Sequence, residues 1–428
     1  MTASPRVPLA ESAAPLLRHF RSAVGEHVLV IPHTRIFDVE GDADAAADRL
    51  SAATQASFGE APLDAITEPA PQSITLNVSS SCNLTCGYCY AARGAFGGKQ
   101  AAPMDWQTAK DAVDRLLALA DPSCPITIGF LGGEPFVNRR LVHHIVDYAA
   151  KLARARRLDI RFSVTTNATL LQADDLDLIR AHPFAVTVSL DGTQIEHDRN
   201  RPLHRGGGGS WTRAVEKIEP LLARPGATKI AARATVTRGT ANLAHWVETL
   251  SAVGFPEVGI APLRVSLGGG QALTDADWPD YLAALIAAAD VELKRFREGL
   301  PIRLTNLAVA LKQLHRGASS PYPCGAGGGY FSVSSQGRWY ACHRAVGESA
   351  YELGSNDGLD EARRRDFLVQ RHIHAQTDCG SCWARYLCSG GCHQEAVART
   401  PASCDFIRDW LAFCLKAYCE LGARLEAG

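Results

Sequence analysis

Between residue 73 and about residue 300, short apolar runs alternate with stretches whose apolar residues recur every three or four positions. The runs Ile74–Val78, Ile126–Leu131, Ile160–Thr165, Ala185–Leu190, Lys229–Val236 and Glu257–Ala261 have the length and character of strands. Helical spacing marks Asp105–Ala120, Arg139–Ala153, Trp211–Leu222, Leu243–Val253 and Trp278–Phe296. In the first of these Ala109, Ala112, Val113 and Leu116 form one stripe, and Asp105 stands where an N-cap belongs. Six strand–helix units in series predict an α/β fold, a parallel sheet curved into a partial (β/α)6 TIM-like barrel. In such folds the chemistry gathers at the carboxyl ends of the strands.

The flanks read differently. Within residues 1–72, His27–Ile31 and Arg35–Val39 predict two short strands, followed by an Ala-rich helix over Asp42–Ala53. This is a small N-terminal appendage ahead of a barrel domain at 73–300. From about residue 316 Cys, Gly and aromatic residues replace the regular periodicity, which predicts a loop-rich C-terminal domain, 301–428, folded around metal. The Gly-rich stretches Arg205–Ser210 and Gly268–Gly270 are either solvated loops or the flanks of a substrate channel.

Composition narrows the function classes. A chain of 428 residues that is 46% hydrophobic can bury a large core, and its net charge of −1 argues against a general binder of nucleic acid or membrane surfaces. No apolar stretch approaches the ~20 residues that span a bilayer, and Met1–Pro8 lacks the apolar core of a signal peptide. The expected location is therefore the cytoplasm, where thiols stay reduced and thirteen cysteines point to metal rather than to disulfides.

Cys82, Cys86 and Cys89 follow the first strand directly. Three thiolates within eight residues hold three corners of a four-iron cluster and leave one iron without a protein ligand. Zinc is the competing reading, since thiolates suit it equally and it too can keep an open position. The spacing Cys-x3-Cys-x2-Cys, with Tyr88 before the last cysteine, resembles the radical S-adenosylmethionine (SAM) superfamily. The resemblance implies that the open iron chelates the amino and carboxylate groups of SAM. It extends to Gly132-Gly133-Glu134-Pro135 after the second strand, the family's contact to the SAM amino group. Thr165-Thr166-Asn167-Ala168 resembles the family's Thr-Thr-Asn-Gly string, with Ala168 in place of the glycine. The fourth strand ends in Ser189-Leu190-Asp191-Gly192, where Ser189 and Asp191 are candidates for the ribose or for substrate positioning. Arg233 either reaches the SAM carboxylate or pairs with Asp191 or Glu134.

Beyond the barrel, Cys324, Cys342 and the string Cys379-x2-Cys382-x5-Cys388-x3-Cys392, then Cys404, resemble the SPASM extension of peptide-modifying radical SAM enzymes. That likeness implies two auxiliary clusters, three [4Fe–4S] clusters in all. One would take Cys379, Cys382, Cys388 and Cys404; the other would take Cys324, Cys342 and Cys392, with Tyr330 where some relatives have a further cysteine. Two structural zinc sites are the alternative for this region. Cys124, Cys414 and Cys419 read as small buried hydrophobes, with Cys414 in reserve as the missing ligand.

Sulfatase-maturating relatives carry an aspartate immediately after the cysteine that corresponds to Cys342, where this chain has His343. The string Cys342-His343-Arg344 resembles maturases that install thioether or carbon–carbon bridges in ribosomally made peptides. His343 is either a base or a hydrogen-bond donor to cluster sulfur. The family reading implies a precursor peptide as substrate, an electron donor such as flavodoxin or ferredoxin, and no nucleic-acid or membrane partner. A formylglycine-generating enzyme of the sulfatase-maturating type is the alternative. In the peptide-modifying reading the appendage either recognises a leader or simply caps the barrel.

Overall fold

The structure is a computed structural model that describes residues 15–40, 50, 66, 68–94, 102–204, 206, 208–239, 242–265, 270–317, 319–376 and 378–422. The described chain forms two compact units that interleave along the sequence. One draws on Glu68–Thr274 and Gly325–Arg364, the other on Met1–Thr67, Asp275–Cys324 and Arg365–Gly428.

The second of these units begins with three antiparallel strands, β1 (Leu17–Ser22), β2 (Gly25–Val30) and β3 (Arg35–Val39). Two of them match the predicted pair. The first was not legible because Leu17–Ser22 alternates too weakly. The helix expected over Asp42–Ala53 lies outside the described residues, Leu50 apart.

The other unit is built on β4 (Ser73–Ser79), α1 (Trp106–Leu119), β5 (Ile126–Gly132), α2 (Arg139–Arg156), β6 (Ile160–Thr166), α3 (Ala173–Ala181) and β7 (Phe184–Ser189). It continues through α4 (Gln194–Asn200), α5 (Trp211–Ala223), β8 (Lys229–Val236), α6 (Leu243–Ala252) and β9 (Glu257–Pro262). Strands β4 to β9 pair in parallel and in sequence order. The six predicted strands are thus present, each within a residue or two of its expected ends. Asp105 accepts a hydrogen bond from the Thr108 amide at 2.7 Å, the predicted cap of α1. Helices α3 and α4 were not singled out from periodicity, since each is short and opens on a polar capping box, at Gln172 and at Thr193.

Alternation along the strands gives the sheet two unlike faces. Ile74, Leu76, Ile128, Phe130, Phe162, Val164, Val186, Val188, Ile230 and Ala232 are buried and form the core beneath the helices. The intervening positions, such as Thr75, Asn77, Ser163, Thr165, Thr187, Ser189, Arg233 and Thr235, put polar groups on the opposite face. Gly129 on that face sits between Thr75 and Ser163, and a Cβ there would lie 2.9 Å from both hydroxyls.

Among the described residues the barrel does not close on itself. The free edge of β4 pairs in parallel with β10 (Tyr330–Val333), which leads through β11 (Arg338–Tyr340), β12 (Glu352–Ser355) and β13 (Gly358–Leu359) in antiparallel pairs. These late strands are two to four residues long, too short to carry a period.

In the unit that holds β1–β3, three helices, α7 (Trp278–Arg297), α8 (Thr305–Arg316) and α9 (Pro401–Leu421), supply the apolar core. Phe406 stacks on Trp278 at 5.2 Å between ring centroids. Cys414 is fully buried in α9, as a small hydrophobe would be. Cys124 departs from that expectation. It is exposed, in a turn where Asp121 accepts from the Ser123 amide at 2.9 Å.

Gly192 tests the packing of this fold. Its φ is +38°, and a Cβ would lie 2.0 Å from the Trp246 ring, which is buried and held by a 2.7 Å hydrogen bond from Nε1 to Glu196. Gly192→Ala combines overpacking with left-handed strain and should lower stability by about 2–4 kcal/mol in urea denaturation.

Candidate functional site

The site forms where β4 to β8 end. The loop Cys82–Cys89 leaves β4 and is anchored to the chain after α4 by backbone bonds from Thr85 to Pro202 (2.9 Å), Gly87 to Asn200 (3.2 Å) and His204 to Asn83 (2.8 Å). All three cysteines are half-buried. Burial, followed by Glu134 and the other two thiols, pushes the Cys82 thiol up to about 12 against the Leu84 amide. Burial likewise raises Cys86 to about 11, offset in part by Arg201. The three sulfurs therefore act on one another, and metal bound there would displace their protons.

Gly132 serves the protein's own backbone. Its φ is +152°, and a Cβ would lie 2.3 Å from the Ser79 carbonyl oxygen, so glycine lets β5 end tight against β4. The Gly133 and Glu134 amides then donate to Ser79 (2.8 Å) and Ser81 (2.9 Å), at the start of the cysteine loop. Pro135 opens the short 3-10 turn that follows. Glu134, 1% exposed, accepts from the Thr166 hydroxyl (2.7 Å), the Asn167 amide (2.8 Å) and the Phe136 amide (3.2 Å). Its carboxylate ties the end of β5 to the end of β6. Burial outweighs these donors and lifts the Glu134 carboxyl to about 7.

Asn167 accepts from the Thr169 amide and hydroxyl, donates to Asn83 Oδ1 at 3.0 Å, and brings Nδ2 to 3.8 Å from Cys82 Sγ. Its side chain holds the cysteine loop. Ala168 adopts φ +63°, so the left-handed conformation that glycine supplies in the family string is kept here by alanine.

Asp191 is buried and its carboxylate is fully engaged. Arg201 grips it with two bonds of 3.0 and 3.1 Å, the Thr235 amide donates at 2.8 Å, and the Tyr88 hydroxyl donates as well. The Arg201 guanidinium also lies over the Tyr88 ring, 5.2 Å from its centroid. Asp191 pairs with Arg201 rather than with Arg233. His197 completes the knot. Its Nδ1 accepts from the Asp191 amide at 3.2 Å, so its Nε2 carries the proton toward Ser210 Oγ at 2.9 Å. Burial, reinforced by Arg201, lowers the imidazole to about 4 and keeps it neutral. Asp198 caps α5 through the Ser210 and Trp211 amides, each at 2.8 Å.

Asn83, His197, Asp198 and Arg201 were missed by sequence reasoning. The available signal was the spacing after Asp191 of His197 and Asp198 on one short helix and of Arg201 at its C-cap. Ser189 and Arg233 are register partners on the polar face, half-buried and exposed, with Glu257 as the electrostatic partner of Arg233.

His343 belongs to the same unit. Its Nδ1 lies 2.8 Å from the Tyr330 hydroxyl, and its ring meets Tyr330 and Tyr90 edge-on, each at 6.2 Å. Cys342 is buried beside Ala326 and Ala345. Cys324 and Cys392 belong to the other unit. That unit also brings Cys379, Cys382 and Cys404 close enough to raise the Cys388 thiol, which burial already lifts, to about 11. Among the described residues no three His, Cys, Asp or Glu side chains surround a single metal ion. A four-iron cluster instead takes each thiolate on its own iron, which the loop of Cys82, Cys86 and Cys89 can supply.

Residues 76–228 match the family model of the radical SAM superfamily. The chain carries a radical SAM domain over those residues. The chemistry of the superfamily draws on SAM and a [4Fe–4S] cluster. The radical SAM chain is 38% identical over 133 residues to an uncharacterized protein, MJ0907, of Methanocaldococcus jannaschii, covering 31% of this chain and 43% of that protein. A serine-type anaerobic sulfatase-maturating enzyme of Klebsiella aerogenes is 25% identical over 76% of this chain and 80% of its own length. Mycofactocin maturase MftC of Mycolicibacterium smegmatis is 26% identical over 76% of this chain and 78% of its own. Among solved structures, anSMEcpe with bound AdoMet shares the fold at a TM-score of 0.69 and 20% identity, covering 82% of this chain and 99% of that one.

The raised carboxyl of Glu134 has a measurable sign. Its native pKa of about 7 exceeds the usual 4.5, so the stability it lends is complete below about pH 4.5 and is lost as pH rises through 7. Relative to Glu134→Gln, the wild-type protein should lose about 3 kcal/mol of unfolding free energy between pH 4 and pH 8, read from urea midpoints.

Proposed function

We propose that this radical SAM enzyme modifies a ribosomally made precursor peptide in the cytoplasm and closes an intramolecular cross-link, a thioether or a carbon–carbon bond. The observation that carries the reading is the residue after Cys342. It is His343, braced by Tyr330, where the sulfatase-maturating relatives carry aspartate. The similarity to a mycofactocin maturase over 78% of that protein's length supports a peptide substrate.

In this reading Cys82, Cys86 and Cys89 hold the cluster that binds SAM. Together the two cofactors supply a 5′-deoxyadenosyl radical that removes hydrogen from the peptide. The chain's own residues set the geometry. Gly132, Gly133, Glu134 and Pro135 would line the place of the SAM amino group. Thr166 and Asn167 hold Glu134 and the cysteine loop in place, and Asp191, itself held by Arg201, fixes the Tyr88 hydroxyl directly. Ser189 offers a hydroxyl on the polar face, and Arg233 offers a cation to the SAM carboxylate. His343, oriented through Nδ1, takes up the proton that bond formation releases. Cys379, Cys382, Cys388 and Cys404 would hold one auxiliary cluster and Cys324, Cys342 and Cys392 another, which would supply a place for the surplus electron. A flavodoxin or ferredoxin delivers the first electron. Among the described residues no helix is long and apolar enough to cross a membrane.

A second reading, formylglycine formation, is favoured by the 80% coverage of the Klebsiella sulfatase-maturating enzyme. Co-expression with the short peptide encoded beside the gene, under low oxygen, separates the two by intact mass and free-thiol count. Loss of two hydrogens and a thiol indicates a thioether, and the same mass loss with thiols intact indicates a carbon–carbon link. Conversion of one Cys or Ser to an aldehyde would establish formylglycine formation. Ala at Cys82, Cys86 or Cys89 should abolish 5′-deoxyadenosine production, measured by chromatography; full turnover in any of the three would remove the cluster assignment.

A further inference from the structure

Arg399 stands against the cysteines of the second unit. Its Nη1 lies 3.0 Å from Cys379 Sγ, and its other acceptors are Gln376 Oε1 and the Gly390 carbonyl, both at 3.1 Å. Neither of those two carries charge, so the guanidinium's positive charge is directed at the sulfur. Two further arginines near Cys382 are balanced by acids. Arg408 pairs with Asp405, and Arg18, 3.6 Å above the Trp383 ring, feels both Asp409 and Cys382. Among the described residues no acid pairs with Arg399, and Asp378 acts on Cys379 more weakly than Arg399 does.

At the cysteine loop of the radical SAM unit the nearby guanidinium is instead neutralised by an ion pair. Glu134 acts on Cys82, and at Cys86 the Arg201 guanidinium, which outweighs Asp191 there, is itself held by Asp191 through both bonds of its fork. An N–H donor and a positive charge at cluster sulfur favour the reduced state, and nearby carboxylates disfavour it.

We infer that Arg399 raises the reduction potential of the cluster held by Cys379, Cys382, Cys388 and Cys404 and so makes it the protein's terminal electron acceptor. This rests on the cluster assignment proposed above. The step is a one-electron reduction of the oxidised cluster by the electron released when the substrate radical closes its new bond. An external one-electron carrier protein then reoxidises the cluster. The proton from bond closure leaves separately, and no further oxidant is consumed.

The test is potentiometry followed by electron paramagnetic resonance on the anaerobically reconstituted full-length enzyme, with Cys388→Ala identifying which signal belongs to this cluster. Arg399→Leu should shift that cluster's reduction equilibrium at least tenfold toward the oxidised form, about 59 mV for one electron. Arg399→Lys should recover most of the shift, and the signal of the SAM-loop cluster should not move. An unchanged potential in Arg399→Leu at full iron content would overturn the inference. If Arg399→Leu fails to retain the cluster, Arg399→Gln, which keeps a donor without the charge, decides by the same tenfold criterion. A wild-type enzyme with no signal that disappears in Cys388→Ala would instead remove the cluster assignment itself.

Discussion

Asp191 and Arg201 form a buried ion pair on which the arrangement of the radical SAM site depends. Taking both charges out of water is costly, and the cost is offset only because every acceptor position is filled by Arg201, Tyr88 or the Thr235 amide. Removing one partner of such a pair typically costs 3–5 kcal/mol. The pair does more than stabilise. Asp191 follows the fourth barrel strand, Tyr88 belongs to the cysteine loop, and Thr235 lies on the fifth strand, so one carboxylate fixes three elements around a common point.

A second carboxylate repeats the design. Glu134 joins the ends of β5 and β6 through Thr166 and Asn167, and the neighbouring Gly132 permits β5 to close on Ser79. Residues that resemble ligand-binding motifs thus spend part of their bonding capacity on the protein. Asn167 braces Asn83, Glu134 braces β6, and Gly132 admits a backbone rather than a cofactor. Such bracing is what a radical reaction requires, because hydrogen abstraction depends on a reacting carbon held within contact distance and shielded from water.

Charge is distributed unequally between the two groups of cysteines. Arg201 beside Cys86 is paired with Asp191 and Glu134 acts on Cys82, while Arg399 beside Cys379 has no paired acid among the described residues. The peptide-modifying reading gives that contrast a purpose, since one cluster must give electrons at low potential and another must collect them.

The sequence by itself determined the six strands, five of the helices and the order of the motifs, because alternation and helical spacing are local properties that burial enforces residue by residue. It determined the cysteine spacing as well, which is local to one loop. Tertiary structure alone decided that β4 pairs with β10 across more than 250 residues, that Asp191 chooses Arg201 over Arg233, and that Arg399 meets Cys379. Those outcomes turn on which side chains arrive at a shared point in space. No period or spacing encodes that, because a hydrogen bond or ion pair is selected by distance and by the loss of competing water.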